Sequence, residues 1–391
     1  MMEQNSLAVA MTRQLVQIDS TDPGTYEGNI GEFIYGWLSK LPGVTLCREE
    51  VLPGRFNLKA ELGGKDAACG APALVFICHM DTVVIGDNWT REPFSAEEEN
   101  GRIYGRGSCD MKSGLSCALS AFSDVSRQIA AGRIPARRLV LICSVDEEDF
   151  MRGSEAAIRS GWVSKEDWIL DTEPTDGQIQ VAHKGRTWFE LTVHGCTAHA
   201  STPWKGADAI AGMAEIIRSV RLAIAAAPPH HDLGVSTVTF GQINGGYRPY
   251  VVPDLCKVWI DMRLVPPTDT AAASAILDKA VKDAQAAVPG ITVSCKLTGD
   301  RPYIEKNEAS PLLSHLKRAC LTAVGSEAPV GPFPGYTDTA VIAGTLKNKN
   351  CMSYGPGSLE MAHKPDEYVP ISDILRCEKV LICLAHECLF D

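Results

Sequence analysis

The chain has 391 residues, 45% of them hydrophobic and 22% charged, with a formal net charge of -11. That length is too great for one ordinary core, so two domains are expected. The acidic balance excludes nucleic acid and anionic membrane as main partners, since both select basic faces.

The first stretch, "MMEQNSLAVAMTRQLVQI", lacks the cationic start of an export signal and predicts an amphipathic helix instead. No uncharged apolar run along the chain reaches membrane-spanning length. The 14 cysteines include no CxxC pair, and Cys78, Cys143, Cys256 and Cys383 sit in apolar runs where a reduced cysteine packs as a small hydrophobe. A reducing, cytoplasmic location is the expectation.

Three apolar runs then read as parallel strands covered on both faces: "ALVFIC" at 73–78, "LVLICSV" at 139–145 and "WIL" at 168–170. Helical patterns at 113–132 and 153–162 separate them, which implies an α/β layered domain. From about His183 the order changes to strand, helix, strand, strand, helix, strand, ending in "ITVSCKL". That order predicts a ferredoxin-like α+β module over 183–299, inserted into a larger domain made of 1–182 and 300–391. The first pattern resumes with a helix at 309–324 and closes with one at 371–388.

In an open parallel sheet, ligands collect beyond the carboxyl ends of the strands. Each predicted strand ends there in metal-ligand chemistry. His79 and Asp81 follow the first and, being two apart, face one side. A ligating histidine usually gives its second ring N–H to a carboxylate; Asp81 either takes that role or reaches inward to another group. Asp110 lies in the glycine-rich "GRGSCDMKSG", whose rival reading is a phosphate cradle, although it lacks the lysine and serine of a P-loop. The second strand runs into Asp146, Glu147, Glu148 and Asp149, four like charges that repel unless a cation sits among them. Glu173 follows the third strand, and "MAHKPDEY" supplies His363.

Singly, each of these also fits a solvated turn or a hydrogen-bonded core residue. Together they offer hard oxygen donors with a few imidazoles and no thiolate, a set suited to zinc, cobalt or manganese, and one shared carboxylate would allow two ions. A thiol nucleophile at Cys78 or Cys109 is disfavoured by acidic neighbours. The terminal "CLAHEC" reads as helix packing, and His230 and His231 as an exposed loop without a visible partner.

The segments "HMDT", "GRGSCDMKSG", "DEE", "EPT", "GCTAHAS" and "GPGSLEMAHKPDEY", with the inserted module, resemble the co-catalytic zinc aminoacylase and exopeptidase family, peptidase family M20. That family includes acetylornithine deacetylase, succinyl-diaminopimelate desuccinylase, carboxypeptidase G2 and related dipeptidases. The resemblance implies a phosphorylase/hydrolase-like zinc-exopeptidase domain with an inserted lid through which two copies form a homodimer. It implies that His79, Asp110 and Glu173 hold one divalent metal ion and Asp110, Glu148 and His363 the other, with Glu147 as general base and Asp81 in support. Asp146 and Asp149 are then left for solvent or supporting hydrogen bonds.

The resemblance further makes His199 of "GCTAHAS" an oxyanion donor reaching the neighbouring subunit. Arg263 stands at the end of an apolar strand and can fork onto a substrate carboxylate, a role the resemblance also gives it, and the Gly355-Pro356-Gly357 turn is assigned to the pocket. In "GGYRPYVVPD", Tyr250 stands where family members often carry Asn, so the substrate contact there is lost or is remade with Tyr250 or Arg248. The expected activity is removal of an acyl group from a small-molecule N-acyl amino acid; a dipeptidase or carboxypeptidase acting on short peptides is the rival within the class, and a non-catalytic binding protein the rival outside it.

Overall fold

The computed structural model describes residues 6–63 and 70–390. Contacts divide the chain into two compact units: Met1–Val181 with Lys306–Phe333 and Thr337–Asp391, and Ala182–Glu305 with Pro334–Tyr336.

The first unit is built on an eight-stranded sheet. Its centre is parallel: Leu74–His79 lies between Leu139–Ser144 and Trp168–Asp171, and Cys351–Ser353 continues the parallel set beside Trp168–Asp171. All residues of the first three of these strands are buried, as expected for strands covered on both faces. The helices Leu7–Val16, Ser113–Ala130, Pro311–Val324 and Ile371–Phe390 contribute apolar faces to the same core. Ser6 caps the first of them by accepting a hydrogen bond from the Val9 N–H at 3.1 Å. The N-terminal helix expected from the sequence thus exists, but residues 1–5 of that stretch lie outside the described residues.

Antiparallel strands flank the parallel set on both sides, which the apolar runs did not reveal: Ile179–His183 runs antiparallel to Cys351–Ser353, and a hairpin lies on the other side. Thr45–Leu52 and Arg55–Leu62 form a hairpin that pairs through Arg55–Leu62 with Leu139–Ser144. Thr45–Leu52 is mostly exposed or half-buried, so it carries no apolar run to betray it.

The second unit is a four-stranded antiparallel sheet ordered Thr237–Gly245, Leu255–Leu264, Gly185–His194, Thr292–Arg301. This is the ferredoxin-like order expected from the sequence. Alternate residues Phe189, Leu191 and Val193 and their neighbours Val258, Ile260 and Met262 pack against Met213, Ile216 and Val220 of helix Ala209–Ala225 and Leu277 and Ala280 of helix Thr270–Ala287. Asp208 and Asp269 cap those two helices. The last strand is longer than "ITVSCKL": it follows Gly185–His194 to Arg301 around a bulge between Trp188 and Phe189. Among the described residues, no helix is long and apolar enough to cross a membrane.

Candidate metal centre

The four parallel strands put their carboxyl ends along one edge, and the candidate residues follow them. His79 closes Leu74–His79, and its Nδ1 lies 2.9 Å from the Asp81 carbonyl oxygen. Only an Nδ1–H can serve that carbonyl, so the Nε2 lone pair is left facing the cluster. It lies 3.2 Å from Asp110 Oδ1, 3.9 Å from Glu173 Oε1 and 4.0 Å from Glu147 Oε2. The main chain of Asp81, and not its carboxylate, therefore fixes the tautomer. The Asp81 carboxylate stands 3.7 Å away through Oδ1, while its Oδ2 accepts the Glu148 N–H at 3.0 Å.

His363 completes the other side. Its Nε2 lies 3.0 Å from Glu148 Oε2 and 3.5 Å from Asp110 Oδ2, so Asp110 stands between the two imidazoles. Ligand atoms of His79, Glu147 and Glu173 converge within 4.8 Å, as do those of His79, Asp110 and Glu148. All the metal-ligand candidates of the first unit are thus brought together with Glu147.

The electrostatics follow from crowding acids in a buried site. Burial lifts the carboxyls of Glu147 and Glu173 well above the ordinary range, and neighbouring carboxylates add to this. Asp81 is driven to about 8 by burial, with Glu27 and Glu148 adding to it. Burial works to raise Asp110 too, but His363 and His79 hold its carboxyl below the usual range. Burial would depress His79, yet Asp110 and the surrounding carboxylates hold it well above an ordinary histidine. Hydrogen bonds to Asp110 and Glu148 push His363 to about 10. The cluster demands positive charge. Oxygen and imidazole donors without thiolate fit a pair of divalent first-row cations.

The glycine-rich loop answers the phosphate question. Its N–H groups are already engaged: Glu367 accepts from Gly107 at 3.1 Å, Cys109 at 2.9 Å and Asp110 at 3.0 Å, and from Arg106 Nη1 at 2.6 Å. Glu367 and Arg106 are each 1% exposed. A carboxylate of the chain itself thus fills the cradle and holds Asp110 in place. Nothing in the motif spacing pointed to Glu367, although it lies four residues after His363 and so ties that histidine's segment to the Asp110 loop. Asp338 is a second buried carboxylate that sequence reading missed; it accepts hydrogen bonds from Ser144 and Ser154 and adds to the charge that lifts Glu147.

Asp146 and Asp149 divide the two roles left to them. Asp146 is buried and takes supporting hydrogen bonds from Arg152, whereas Asp149 has a half-exposed side chain. Gly355 and Gly357 have a packing reason. A Cβ on Gly355 would stand 2.3 Å from the Thr172 carbonyl oxygen, and one on Gly357, at φ +76°, would stand 2.5 Å from Cys109 Sγ. Their missing side chains let this turn press against the loops that carry Glu173 and Asp110. Burial drives the Cys78 and Cys109 thiols well above their usual range, which removes them as nucleophiles. In the terminal helix, His386 pairs with Asp124 and Cys388 is buried. His230 has partners after all: its Nδ1 accepts the Asp232 and Leu233 N–H groups at 3.3 and 3.2 Å, and Nε2 lies 3.6 Å from Glu305.

The remaining candidates belong to the second unit. His199 is exposed on a loop that bridges to Val251, with the Ala200 N–H donating to the Tyr250 carbonyl at 3.1 Å. Its Nδ1 lies 2.7 Å from Ser201 Oγ and 3.2 Å from the Ser201 N, and Nε2 is the ring nitrogen without a hydrogen bond among the described residues. Tyr250 is 60% exposed. Arg263 is already engaged: its Nε and Nη2 fork onto Asp261 at 2.8 and 3.1 Å, and Trp188 Nε1 steadies Asp261 at 3.0 Å.

An α/β sheet with imidazoles and carboxylates gathered at its strand ends, joined to a ferredoxin-like unit, defines the class of metal-dependent hydrolases with an inserted α+β module. The comparisons with known proteins agree: residues 75–387 match Peptidase family M20/M25/M40, and the chain belongs to that family. It is a hydrolase of amide or peptide bonds. It is 28% identical over 344 residues to a probable succinyl-diaminopimelate desuccinylase of Staphylococcus aureus, covering 81% of this chain and 82% of the relative. To acetylornithine deacetylase of Aliivibrio fischeri it is 29% identical over 365 residues, covering 91% of each. Among solved structures, aminopeptidase PepT of Bacillus cereus superposes with a TM-score of 0.78 at 22% identity, covering 98% of each chain, a likeness of fold.

Proposed function

We propose that the chain is a dinuclear metal-dependent deacylase of N-acyl amino acids. The observation that carries this reading is the cluster in which Asp110 lies between the buried His79 and the exposed His363 while Glu147, without a hydrogen bond among the described residues, faces the same space at 4.0 Å from His79 Nε2. His79, Asp110 and Glu173 would hold one cation, and Asp110, Glu148 and His363 the second, zinc first and cobalt or manganese as alternatives. When bound, the cations supply Lewis acidity to water and to the scissile carbonyl.

The chain's own residues do the rest. Glu147 takes up the proton of the attacking water and returns it to the departing amine nitrogen, a task suited to a carboxyl whose burial keeps its proton affinity high. The Asp81 carbonyl keeps the imidazole ligand in one tautomer, while the Asp81 carboxylate holds the Glu148 N–H. In a homodimer formed through the 183–299 lid, the Nε2–H of His199 donates to the oxyanion in the partner's site. The 1–182 and 300–391 segments form the catalytic domain in this reading, and Arg263 and Tyr250 meet the substrate.

Deacylation is preferred over peptide cleavage because the desuccinylase and deacetylase resemble this chain over four-fifths or more of its length at higher identity than the aminopeptidase. The test is a panel of N-acetyl, N-succinyl and N-formyl amino acids beside unblocked dipeptides, with chelator and with zinc or cobalt restored. Chelator-sensitive release of amine from one acylated set supports the deacylase; cleavage of free dipeptides alone replaces it with a peptidase.

A further inference from the structure

Consecutive residues of an extended chain point to opposite sides, yet Glu147 and Glu148 both face the metal cluster. The turn before them explains how. After strand Leu139–Ser144, Asp146 adopts φ +68°, a left-handed conformation uncommon for non-glycine residues, although aspartate tolerates it better than most.

The surroundings of Asp146 are specific. Its N–H donates to Glu27 Oε1 at 2.9 Å. Its Oδ2 accepts from Arg152 Nε at 2.6 Å and its Oδ1 from Arg152 Nη2, and Oδ1 lies 3.4 Å from Arg55 Nη1. Glu27 stands at the head of helix Gly28–Leu38 and is 1% exposed. Arg55 opens strand Arg55–Leu62, on the far side of Leu139–Ser144 from His79. It donates Nε to Glu27 Oε2 at 2.6 Å and Nη2 to both Glu27 Oε1, at 2.5 Å, and Asp22 Oδ2, at 2.6 Å. Arg55 thus locks the Glu27 carboxylate in a fork, and that carboxylate receives the one N–H that a left-handed Asp146 presents to it.

From this geometry we infer that Glu27, oriented by Arg55, is a positioning residue of the reaction. It holds Asp146 left-handed and so aims the general base and a metal ligand from adjacent positions. Its carboxylate comes within 4.8 Å of that of Asp81 at the edge of the cluster, but the hydrogen bond through which it sets the turn runs to the backbone of Asp146. The inference rests on the proposed roles of Glu147 and Glu148.

The test compares Glu27→Gln, which keeps an oxygen for the Asp146 N–H, with Glu27→Ala, which removes it, in the full chain titrated with cobalt(II). In Glu27→Ala the second cobalt equivalent should weaken at least tenfold by its absorption spectrum. With saturating cobalt, kcat on the N-acyl substrate should fall at least tenfold with KM within about twofold. Glu27→Gln should stay within about threefold on both readouts. A folded Glu27→Ala with unchanged cobalt binding and kcat overturns the inference. Should Glu27→Ala not fold, Asp146→Gly and Asp146→Ala decide the point: glycine accepts the left-handed turn, so it should bind the second cobalt at least tenfold better than alanine, and equal behaviour overturns the inference. If the wild type binds two cobalt equivalents but cleaves no acylated substrate, the deacylase reading fails while the cobalt readout still judges Glu27.

Discussion

The two units treat their polar residues in opposite ways. In the first, most donors around the cluster are buried, with His363 exposed, and three are held by a further group: His79 by a backbone carbonyl, Asp110 by Glu367 through the loop, and Glu148 by Asp81. In the second, His199 and Tyr250 stand exposed, and Arg263 is steadied by Asp261 on the same strand. The difference separates two requirements. Bond cleavage needs donors fixed to fractions of an ångström, whereas substrate recognition tolerates groups that reorganise when the substrate arrives.

If that division holds, the largest effect of a single substitution comes from the first unit. Glu147→Gln keeps the size of the side chain but cannot take a proton, so kcat should drop by about two orders of magnitude or more while metal content by elemental analysis stays near native. Near-native turnover would remove Glu147 from the base role. His199→Ala comes next, with kcat lower by up to about a hundredfold and metal content unchanged. Loss of metal in that variant would mean that His199 acts on the cluster and not on the substrate.

How much was legible in the sequence follows the same division. The buried parallel strands announce themselves as apolar runs, and the residues just after them, His79, Glu147, Glu148 and Glu173, are found by reading to the run's end. The ferredoxin-like order was equally plain because its patterns follow one another as strand, helix, strand, strand, helix, strand. What stayed hidden was whatever acts at long sequence range. Glu367 lies 257 residues from the Asp110 N–H that it accepts, and Asp338 lies 194 from Ser144. Such carboxylates belong to no local pattern, and their partners are backbone groups or serines that any segment contains. The hairpin Thr45–Leu52 and Arg55–Leu62 escaped because its outer strand is polar and exposed. The engagement of Arg263 by Asp261 was within reach, since residues two apart on a strand share a face.

The buried acids also predict how the metal-free protein responds to pH. Asp81 has its pKa raised from an ordinary carboxyl to about 8, so the folded state binds a proton that the unfolded chain releases, and stability falls as pH climbs from about 4 towards 8. His363, raised to about 10, gives stability that is full below an imidazole's ordinary range and is lost as pH rises through about 10. Both run the same way, and so do Glu147 and Glu173. The melting temperature of chelated protein should therefore decline between pH 6 and pH 9. Added zinc should restore more stability at the alkaline end, because cations replace protons that are then scarce. A flat profile without metal would show that these acids are solvated and not crowded.

The smallest expected effect tests the looser unit. A substrate carboxylate that uses the Arg263 fork must displace Asp261, whose two oxygens sit at 2.8 and 3.1 Å from the guanidinium and are partly exposed. An exposed pair of this kind is worth about 1 kcal/mol or less, so releasing Arg263 changes affinity by no more than about fivefold. Asp261→Asn weakens the competitor while keeping an oxygen near Trp188 Nε1, and KM should fall by about two- to fivefold with kcat steady. A rise in KM would mean that Asp261 orients Arg263 for the substrate instead of competing with it. An unchanged KM, together with an unchanged KM in Arg263→Met, would take the fork out of substrate binding and move the search to Tyr250 and Arg248 on the loop beside His199.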